Sequence, residues 1–325
     1  MKILVALYSP FEMWCIPDAQ VAWLRGEFPA HTFERADTDA ETLERIQDAD
    51  VAFAARLRPA DVAAAPRLRW IHSAAAGIGN MLFPAIVESS IQMSNSRALA
   101  SEPIAEHVIA VTLALLRDLP LAWRRQTEAA WAQNEFHRRP PLRTLRDGRV
   151  LIVGLGSIGA AVARLAAAFG ARVIGIRRNP GTAVDGVTSV LGPDRLHDEL
   201  PRADVVVIAA PHTNDTRHLI GAPELRLLKD GAVLVNVSRG SLIDEEALAR
   251  ELETGRLRAA LDVFAHEPLP AGSPLWRSPY ALITPHVAGL RDGYWPAAAG
   301  LFAENLRRFE AGTLLLNLVD KKAGY

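Results

Sequence analysis

The sequence predicts an α/β protein built of two doubly wound parallel-sheet domains, and three observations lead to that prediction. Short apolar runs alternate with polar or helical stretches along most of the chain, as in parallel strands connected by helices. The stretch 149–178 joins an apolar run, a glycine-rich turn, a small-residue helix and a second apolar run. At 325 residues the chain suffices for about two domains, each with a core of its own.

The first 100 residues predict the smaller of the two parallel sheets. Its candidate strands are KILVAL, a weaker region around Phe33, DVAFAA, LRWIHSAA and IQMSNS. The segment 103–119 then begins with a proline and is apolar almost all round, which predicts a buried helix. We expect this helix to connect the two domains.

The second half of the chain predicts a second doubly wound sheet. Its further strands are VVVIAA (205–210), AVLVNVS (232–238), RAALDVF (258–264) and ALITPH. The segment 302–312 predicts an amphipathic helix that Gly312 ends and that crosses back onto the first domain. We therefore expect a domain at 101–289 and a discontinuous domain formed by 1–100 and 290–325.

The glycine-rich turn is the most informative motif of the chain. Gly154 permits a tight turn, Gly156 lets the backbone approach a pyrophosphate, and Gly159 lets the following helix pack close to the strand. The N–H groups at the start of that helix would face the phosphates. Because a strand precedes the turn and a helix and strand follow it, the motif predicts a βαβ dinucleotide-binding unit of the Rossmann type.

Two arginines at the end of the second strand indicate which dinucleotide is bound. Arg177 and Arg178 occupy the place where an acidic residue usually receives the ribose hydroxyls of NAD. Two guanidinium groups suit a 2′-phosphate, so NADP(H) is the preferred cofactor and NAD(H) remains possible. The alternative is that both arginines simply solvate a strand end.

Composition argues against several classes of partner. The net charge is −1 and the sequence pI is about 6.8, so no bulk charge attracts nucleic acid or an anionic membrane. Cys15 is the single cysteine, and no Cys/His spacing typical of zinc occurs, so we expect no disulfide within the chain and no metal. The apolar start is too short for a signal peptide, and a cytoplasmic location is expected.

Polar residues after three later strands are candidates for chemistry, because ligands of such sheets lie beyond the carboxyl ends of the strands. Arg239 can hold a carboxylate with two parallel hydrogen bonds. His286 is of a residue type that exchanges protons near neutral pH, and Glu267 would stabilise its charged form. Each of them, like Asp262, has a purely structural alternative. Together they offer an anion clamp, a proton donor and a partner for that donor.

Seven segments in order resemble the D-isomer-specific 2-hydroxyacid dehydrogenase family. They are AAGIGN (75–80), IAEHVIAVTLAL (104–115), VGLGSIG (153–159), PHTNDTRHLI (211–220), NVSRGSLIDEEAL (236–248), ALDVFAHEPLP (260–270) and TPHVAG (284–289). The resemblance implies a Rossmann cofactor domain inserted in a discontinuous, flavodoxin-like substrate domain. It also implies a homodimer, built around the helix at 103–119.

The family pattern implies a role for each matching residue. Arg239, Glu267 and His286 form the catalytic set, and Arg239 and the loop Ala76-Gly77-Ile78 bind the substrate carboxylate. The implied cofactor contacts are Gly154, Gly156, Ser157, Ile158, Gly159, Arg177, Arg178, Ala210, Pro211, Val237, Ser238 and Asp262. Two departures stand out: the basic pair replaces the acidic ribose residue, and Gly79 replaces an aspartate that many members carry.

The leading hypothesis is a reductase of small 2-oxo acids, such as glyoxylate or hydroxypyruvate, that uses NADP(H) and acts reversibly on the D-hydroxy acid. One alternative is an NAD-dependent D-3-phosphoglycerate dehydrogenase. It is less favoured because the chain ends soon after the expected core, where many such enzymes carry a regulatory domain. The other alternative is a nucleotide-sensing binding protein like the corepressors that share this fold.

Overall fold

The computed structural model describes residues 1–138 and 142–324. Contacts divide the chain into two compact units, one formed by 1–100 and 291–325 and the other by 101–290. We call them the outer unit and the inserted unit. Arg139 and the two prolines that follow it lie outside the described residues.

The helices and strands have the following bounds in chain order. The strands are β1 (Lys2–Ala6), β2 (Thr32–Arg35), β3 (Val51–Ala54), β4 (Trp70–Ser73), β5 (Gln92–Asn95), β6 (Arg149–Val153), β7 (Arg172–Ile176), β8 (Ser189–Leu191), β9 (Val205–Ile208), β10 (Val233–Asn236), β11 (Arg258–Leu261) and β12 (Ala281–Ile283). The α-helices are α1 (Asp18–Glu27), α2 (Asp39–Arg45), α3 (Pro59–Ala63), α4 (Pro84–Val87), α5 (Ser101–Leu116), α6 (Leu119–Thr127), α7 (Gln133–Arg138), α8 (Ser157–Ala168), α9 (Leu196–Glu199), α10 (Ala222–Leu227), α11 (Glu245–Glu253) and α12 (Tyr294–Glu310). Short 3-10 helices lie at Glu12–Trp14, Gly79–Met81, Pro193–Arg195, Leu200–Arg202, Asn214–Thr216, Gly240–Leu242 and Pro274–Arg277.

The outer unit is a five-stranded parallel sheet in the order β2-β1-β3-β4-β5, which is the flavodoxin-like order. Its central strands are buried on both faces, which explains their nearly continuous apolar runs. One face packs against α12, where Phe302 stacks on Phe53 at 4.4 Å between ring centroids and on Trp70 at 5.2 Å. The expected return of the chain to its first unit is therefore made by this helix.

The inserted unit is a seven-stranded parallel sheet in the order β12-β11-β10-β9-β6-β7-β8. The strand order reverses where β6 lies between β7 and β9, and Val153 at the end of β6 pairs with Ile208 at the end of β9. A crevice at such a reversal is where open α/β sheets bind ligands. Both sheets confirm the predicted fold class.

Three elements differ from their sequence predictions. The helix expected at 103–119 corresponds to α5, which ends at Leu116 rather than at residue 119. It ends there because Asp118 adopts a left-handed conformation (φ 53°) before α6 begins. The last helix begins at Tyr294 rather than near Phe302. Strand β8 was not predicted, since it has only three residues, all of them half-buried. None of the helices in the described ranges is long and apolar enough to cross a membrane.

Candidate functional site

The glycine-rich turn follows β6 in the inserted unit and opens α8. Gly154 has φ +103°, and a Cβ atom there would lie 2.4 Å from the Ala210 nitrogen. A Cβ atom on Gly159 would lie 2.0 Å from the Gly154 oxygen, so only glycine allows α8 to pack this close to the turn. A Cβ atom on Gly156, by contrast, would meet nothing within 4 Å.

This open space at Gly156 lies at the start of α8, where Ser157, Ile158 and Gly159 form the first helical turn. The N–H groups of a first turn have no acceptor within their own helix, and the helix dipole favours negative charge there. The residues present therefore fit the pyrophosphate of a dinucleotide, which Gly156 leaves room for.

Arg177 and Arg178 follow β7, the strand after α8. Arg177 is half-buried and its Nε donates to the Asn179 oxygen at 2.6 Å, while Arg178 is exposed. The hydrogen bond to Asn179 folds the Arg177 side chain back over its own turn at the carboxyl edge of the sheet.

The ends of β9 and β10 are tied together at the same edge. Ser238 Oγ donates to the oxygen of Ala210, which is buried, whereas Pro211 beyond it is exposed. Asn236 closes the turn after β10 because its Oδ1 accepts from the Ser238 N–H at 3.1 Å and its Nδ2 donates to the Arg239 oxygen at 2.9 Å. Sequence reasoning missed Asn236; an asparagine that ends a buried apolar strand was the available signal.

Arg239 leaves this turn with an exposed side chain. Its Nη1 donates to the Ser238 oxygen at 2.6 Å. The backbone beside it is in close contact with the segment after β11, since a Cβ atom on Gly240 would lie 1.9 Å from the Phe264 carbonyl carbon. That contact places the turn carrying Arg239 against the segment that carries Glu267.

Glu267 and His286 are joined by a side-chain hydrogen bond. The Glu267 Oε2 lies 2.7 Å from His286 Nδ1, and Oε1 accepts from the Phe264 N–H at 2.9 Å. Burial acts to raise the pKa of Glu267, but the hydrogen bonds from His286 and Phe264 and the charge of Arg239 together hold that pKa below its ordinary value. An ionised carboxylate only accepts, so Nδ1 of His286 carries the proton in this bond and Nε2 is left for a ligand.

Asp262 anchors the loop on which His286 stands. This buried carboxylate accepts from Thr284 Oγ1 at 2.6 Å, from the Val287 N–H at 2.9 Å and from the Ala288 N–H at 3.0 Å. The main-chain N–H of His286 also donates to the main-chain carbonyl oxygen of Asp262 at 2.9 Å. His286 has φ 55°, a conformation that such bonds must hold in place. Through these four bonds Asp262 orients the histidine loop.

His107 of α5 lies next to this anchor. Its Nε2 is 3.3 Å from Thr284 Oγ1. Burial lowers the pKa of His107, while Asp262 acts to raise it. His107 is thus a packed histidine, and its partner Thr284 is a residue that sequence reasoning missed.

The loop at Ala76-Gly77-Ile78 follows β4 in the outer unit. Ala76 is exposed, Gly77 is partly exposed and the Ile78 side chain is buried. Within the part of the chain that the structure describes, no acceptor takes a hydrogen bond from the N–H groups of these three residues. Backbone N–H groups without a protein acceptor are available as donors to an anionic ligand.

The structure therefore brings most of the predicted residues of the inserted unit to one sheet edge, and it pairs Glu267 with His286. The substrate-loop residues belong to the outer unit. Among the described residues, no group of three or more His, Cys, Asp or Glu side chains is placed to hold a metal ion.

Comparison with known proteins shows which family the sequence matches. Residues 109–288 match the description "D-isomer specific 2-hydroxyacid dehydrogenase, NAD binding domain". The glyoxylate reductase of Korarchaeum cryptofilum is 35% identical over 253 residues, which are 76% of this chain and 75% of that protein. The D-3-phosphoglycerate dehydrogenase of Methanocaldococcus jannaschii is 33% identical over 288 residues, 87% of this chain but 54% of that protein. This chain thus spans about half the length of that relative.

A solved structure extends the similarity to the whole chain. It is the NADPH-dependent glyoxylate/hydroxypyruvate reductase of Sinorhizobium meliloti in complex with NADP and sulfate. The match has a TM-score of 0.85 and 28% identity, and it covers 100% of this chain and 99% of that one.

Proposed function

Because this chain belongs to the D-isomer specific 2-hydroxyacid dehydrogenase family, and is thus an NAD(P)-dependent enzyme, we propose that it is an NADP(H)-preferring reductase of small 2-oxo acids such as glyoxylate or hydroxypyruvate. The observation that carries the proposal is the Glu267–His286 pair at 2.7 Å, with the charge of Arg239 acting on the same carboxylate. This arrangement supplies a proton donor, its electrostatic partner and a fixed cation.

His286 is the proposed acid and base. With its Nδ1–H directed at Glu267, Nε2 of the protonated ring gives a proton to the ketone oxygen during reduction and takes it back during oxidation. The carboxylate of Glu267 stabilises the positive charge of the ring that donates. The side chain of His286 is about half exposed, at 47%, so Nε2 is accessible to a substrate.

Arg239 and the N–H groups of Ala76, Gly77 and Ile78 are the proposed partners of the substrate carboxylate. The guanidinium offers two parallel donors of fixed geometry, and the three N–H groups have no acceptor among the described residues. Fixing the carboxylate in this way orients the adjacent ketone carbon.

The proposed cofactor residues are those assigned from the sequence. The turn at Gly154, Gly156 and Gly159 would receive the pyrophosphate, and Arg177 and Arg178 the 2′-phosphate. When bound, NADP(H) supplies the hydride that the reaction moves to or from C2 of the substrate. The S. meliloti reductase, which its description calls NADPH-dependent, supports this preference. Asp262 is also proposed to lie near the nicotinamide.

Two wider proposals concern the protein in the cell. We propose a homodimer, because Trp123 is 52% exposed and Trp131 is 92% exposed, and large exposed apolar groups mark interaction surfaces. We also propose a cytoplasmic location, which the lone Cys15 fits, and neither a nucleic acid nor a membrane as a partner.

The test is a panel of glyoxylate, hydroxypyruvate and 3-phosphohydroxypyruvate, each with NADPH and with NADH, followed by loss of nicotinamide absorbance. We expect the highest kcat/KM for one of the first two acids with NADPH. Highest kcat/KM for the phosphorylated acid with NADH would instead assign the D-3-phosphoglycerate dehydrogenase function, which the M. jannaschii relative represents.

A further inference from the structure

Four successive carbonyl oxygens, from the last residue of β4 onward, are each held by a donor from a distant part of the outer unit. The Ser73 oxygen accepts from Ser96 Oγ at 3.0 Å, the Ala74 oxygen from the Tyr294 hydroxyl, the Ala75 oxygen from the Ser96 N–H at 3.3 Å, and the Ala76 oxygen from Asn95 Nδ2 at 2.7 Å. The donors come from the end of β5 and the start of α12. They fix the backbone that leads into the proposed substrate loop.

Fixing a carbonyl fixes the N–H of the same peptide group. A trans peptide is planar, so its C=O and N–H point in opposite directions. The bond from Asn95 to the Ala76 oxygen therefore sets the direction of the Gly77 N–H, and the bond from the Ser96 N–H to the Ala75 oxygen sets that of the Ala76 N–H. These are two of the three N–H groups of the loop Ala76-Gly77-Ile78, which have no acceptor among the described residues.

The Asn95 amide is itself held in one orientation. Its side chain is buried, and its Oδ1 accepts from the Arg97 N–H at 3.3 Å, which leaves Nδ2 for Ala76. Its backbone is clamped by Asn317 near the end of the chain: the Asn95 N–H donates to the Asn317 oxygen at 3.2 Å, and Asn317 Nδ2 donates to the Asn95 oxygen at 3.1 Å. Asn95 is thus a rigid donor.

We propose that Asn95 is a positioning residue for substrate binding, which aims the Gly77 N–H at the carboxylate of the 2-oxo acid, and that Tyr294 assists it through Ala74. The inference rests on the proposed function, in which this loop binds the carboxylate. Asn95 does not touch the substrate in this scheme, and its effect is on the direction of a neighbouring donor.

The test compares wild type with Asn95→Asp, Tyr294→Phe and Ser94→Ala. Asn95→Asp keeps the shape and the acceptor for the Arg97 N–H but loses the donor to Ala76. Tyr294→Phe loses the donor to Ala74 without introducing charge. Ser94→Ala is the matched control, since Ser94 is buried in the same strand but bonds to Trp70 and His72 instead of the loop.

We expect Asn95→Asp to raise the KM for glyoxylate and the Kd for oxamate, a carboxylate analogue, by about tenfold to a hundredfold, the effect of losing one hydrogen bond to a charged group. Tyr294→Phe should act in the same direction with a smaller effect. NADPH affinity should stay unchanged in all variants, and Ser94→Ala should keep wild-type KM. Oxamate binding is measured by calorimetry on the NADPH-loaded enzyme.

Two further outcomes overturn the inference in distinguishable ways. A purely structural role would lower the melting temperature and the active fraction of Asn95→Asp but leave KM and the oxamate Kd as in wild type, and it would overturn this inference alone. A wild-type enzyme that reduces no 2-oxo acid and binds no oxamate would overturn the proposed function as well.

Discussion

At the scale of single residues, two opposed effects act on the pKa of Glu267. Burial acts to raise its pKa, yet the bonds from His286 and the Phe264 N–H prevail and the pKa is lowered. The group stays ionised through the neutral range, so it can stabilise a protonated His286. Glu267→Gln keeps a hydrogen-bond acceptor for Nδ1 and removes the charge.

We expect Glu267→Gln to shift the high-pH limb of ketone reduction to lower pH. The reason is that the His286 ring loses the carboxylate that favours its protonated form, and ketone reduction needs the protonated ring as proton donor. The measurement is kcat/KM against pH, which reports groups of the free enzyme. Glu224→Gln is a suitable control, since Glu224 accepts from another histidine, His197, away from the site. A profile equal to wild type would show that Glu267 and His286 act independently.

Arg239 is the residue whose geometry matters as much as its charge. A lysine keeps the charge but cannot make two parallel bonds to a carboxylate. We expect Arg239→Lys to raise KM and lower kcat together, with kcat/KM reduced about tenfold to a hundredfold, because a misoriented acid is both weakly bound and badly placed for hydride transfer. Arg195→Lys, on an exposed arginine paired with Asp198, is the matched control in the same steady-state assay. Near-normal constants for Arg239→Lys would remove Arg239 from the site.

At the scale of elements, two glycines of the turn between β6 and α8 have different roles, one in packing and the other in cofactor binding. Gly159 is required by packing, since its Cβ would lie 2.0 Å from a backbone oxygen, whereas a Cβ on Gly156 meets only open space. We expect Gly159→Ala to lower the free energy of unfolding by about 1–3 kcal/mol and to weaken NADPH binding. Gly156→Ala should weaken NADPH binding with an unchanged melting temperature of the ligand-free protein.

Thermal unfolding and NADPH titration of the two glycine variants decide this point. Equal loss of stability in both variants would mean that Gly156 is also needed for packing. Unchanged NADPH binding in Gly156→Ala would mean that no phosphate lies against that position.

Sequence patterns predicted the elements whose signals are local. The strand, turn and helix around Gly154 lie within thirty residues, and His286 comes three residues after an apolar strand. The supporting residues were not predicted, because their partners are backbone atoms far along the chain: Tyr294 bonds to Ala74, and Asn317 bonds to Asn95. Such bonds follow from tertiary packing, and neither the residue type nor the spacing in the sequence predicts them.

At the scale of the whole molecule, the largest exposed aromatic groups raise the question of assembly. Trp123 lies on α6, and Trp131 lies just beyond it with 92% of its surface exposed. Exposed tryptophans are costly in water and are enriched at the centres of interfaces. They fit a dimer of this chain, whose mass would be twice 35.3 kDa.

We expect light scattering to give the dimer mass for wild type, and Trp131→Ser to raise the dimer dissociation constant about thirtyfold or more, as for an interface residue that contributes at least 2 kcal/mol. Trp276→Ser is the matched control, because Trp276 is another exposed tryptophan, at 50%, but lies on a 3-10 helix between β11 and β12. A monomeric wild type would contradict the proposed dimer. An equal effect of both substitutions would show that loss of any exposed tryptophan weakens association, and Trp131 would then have no special place in the interface.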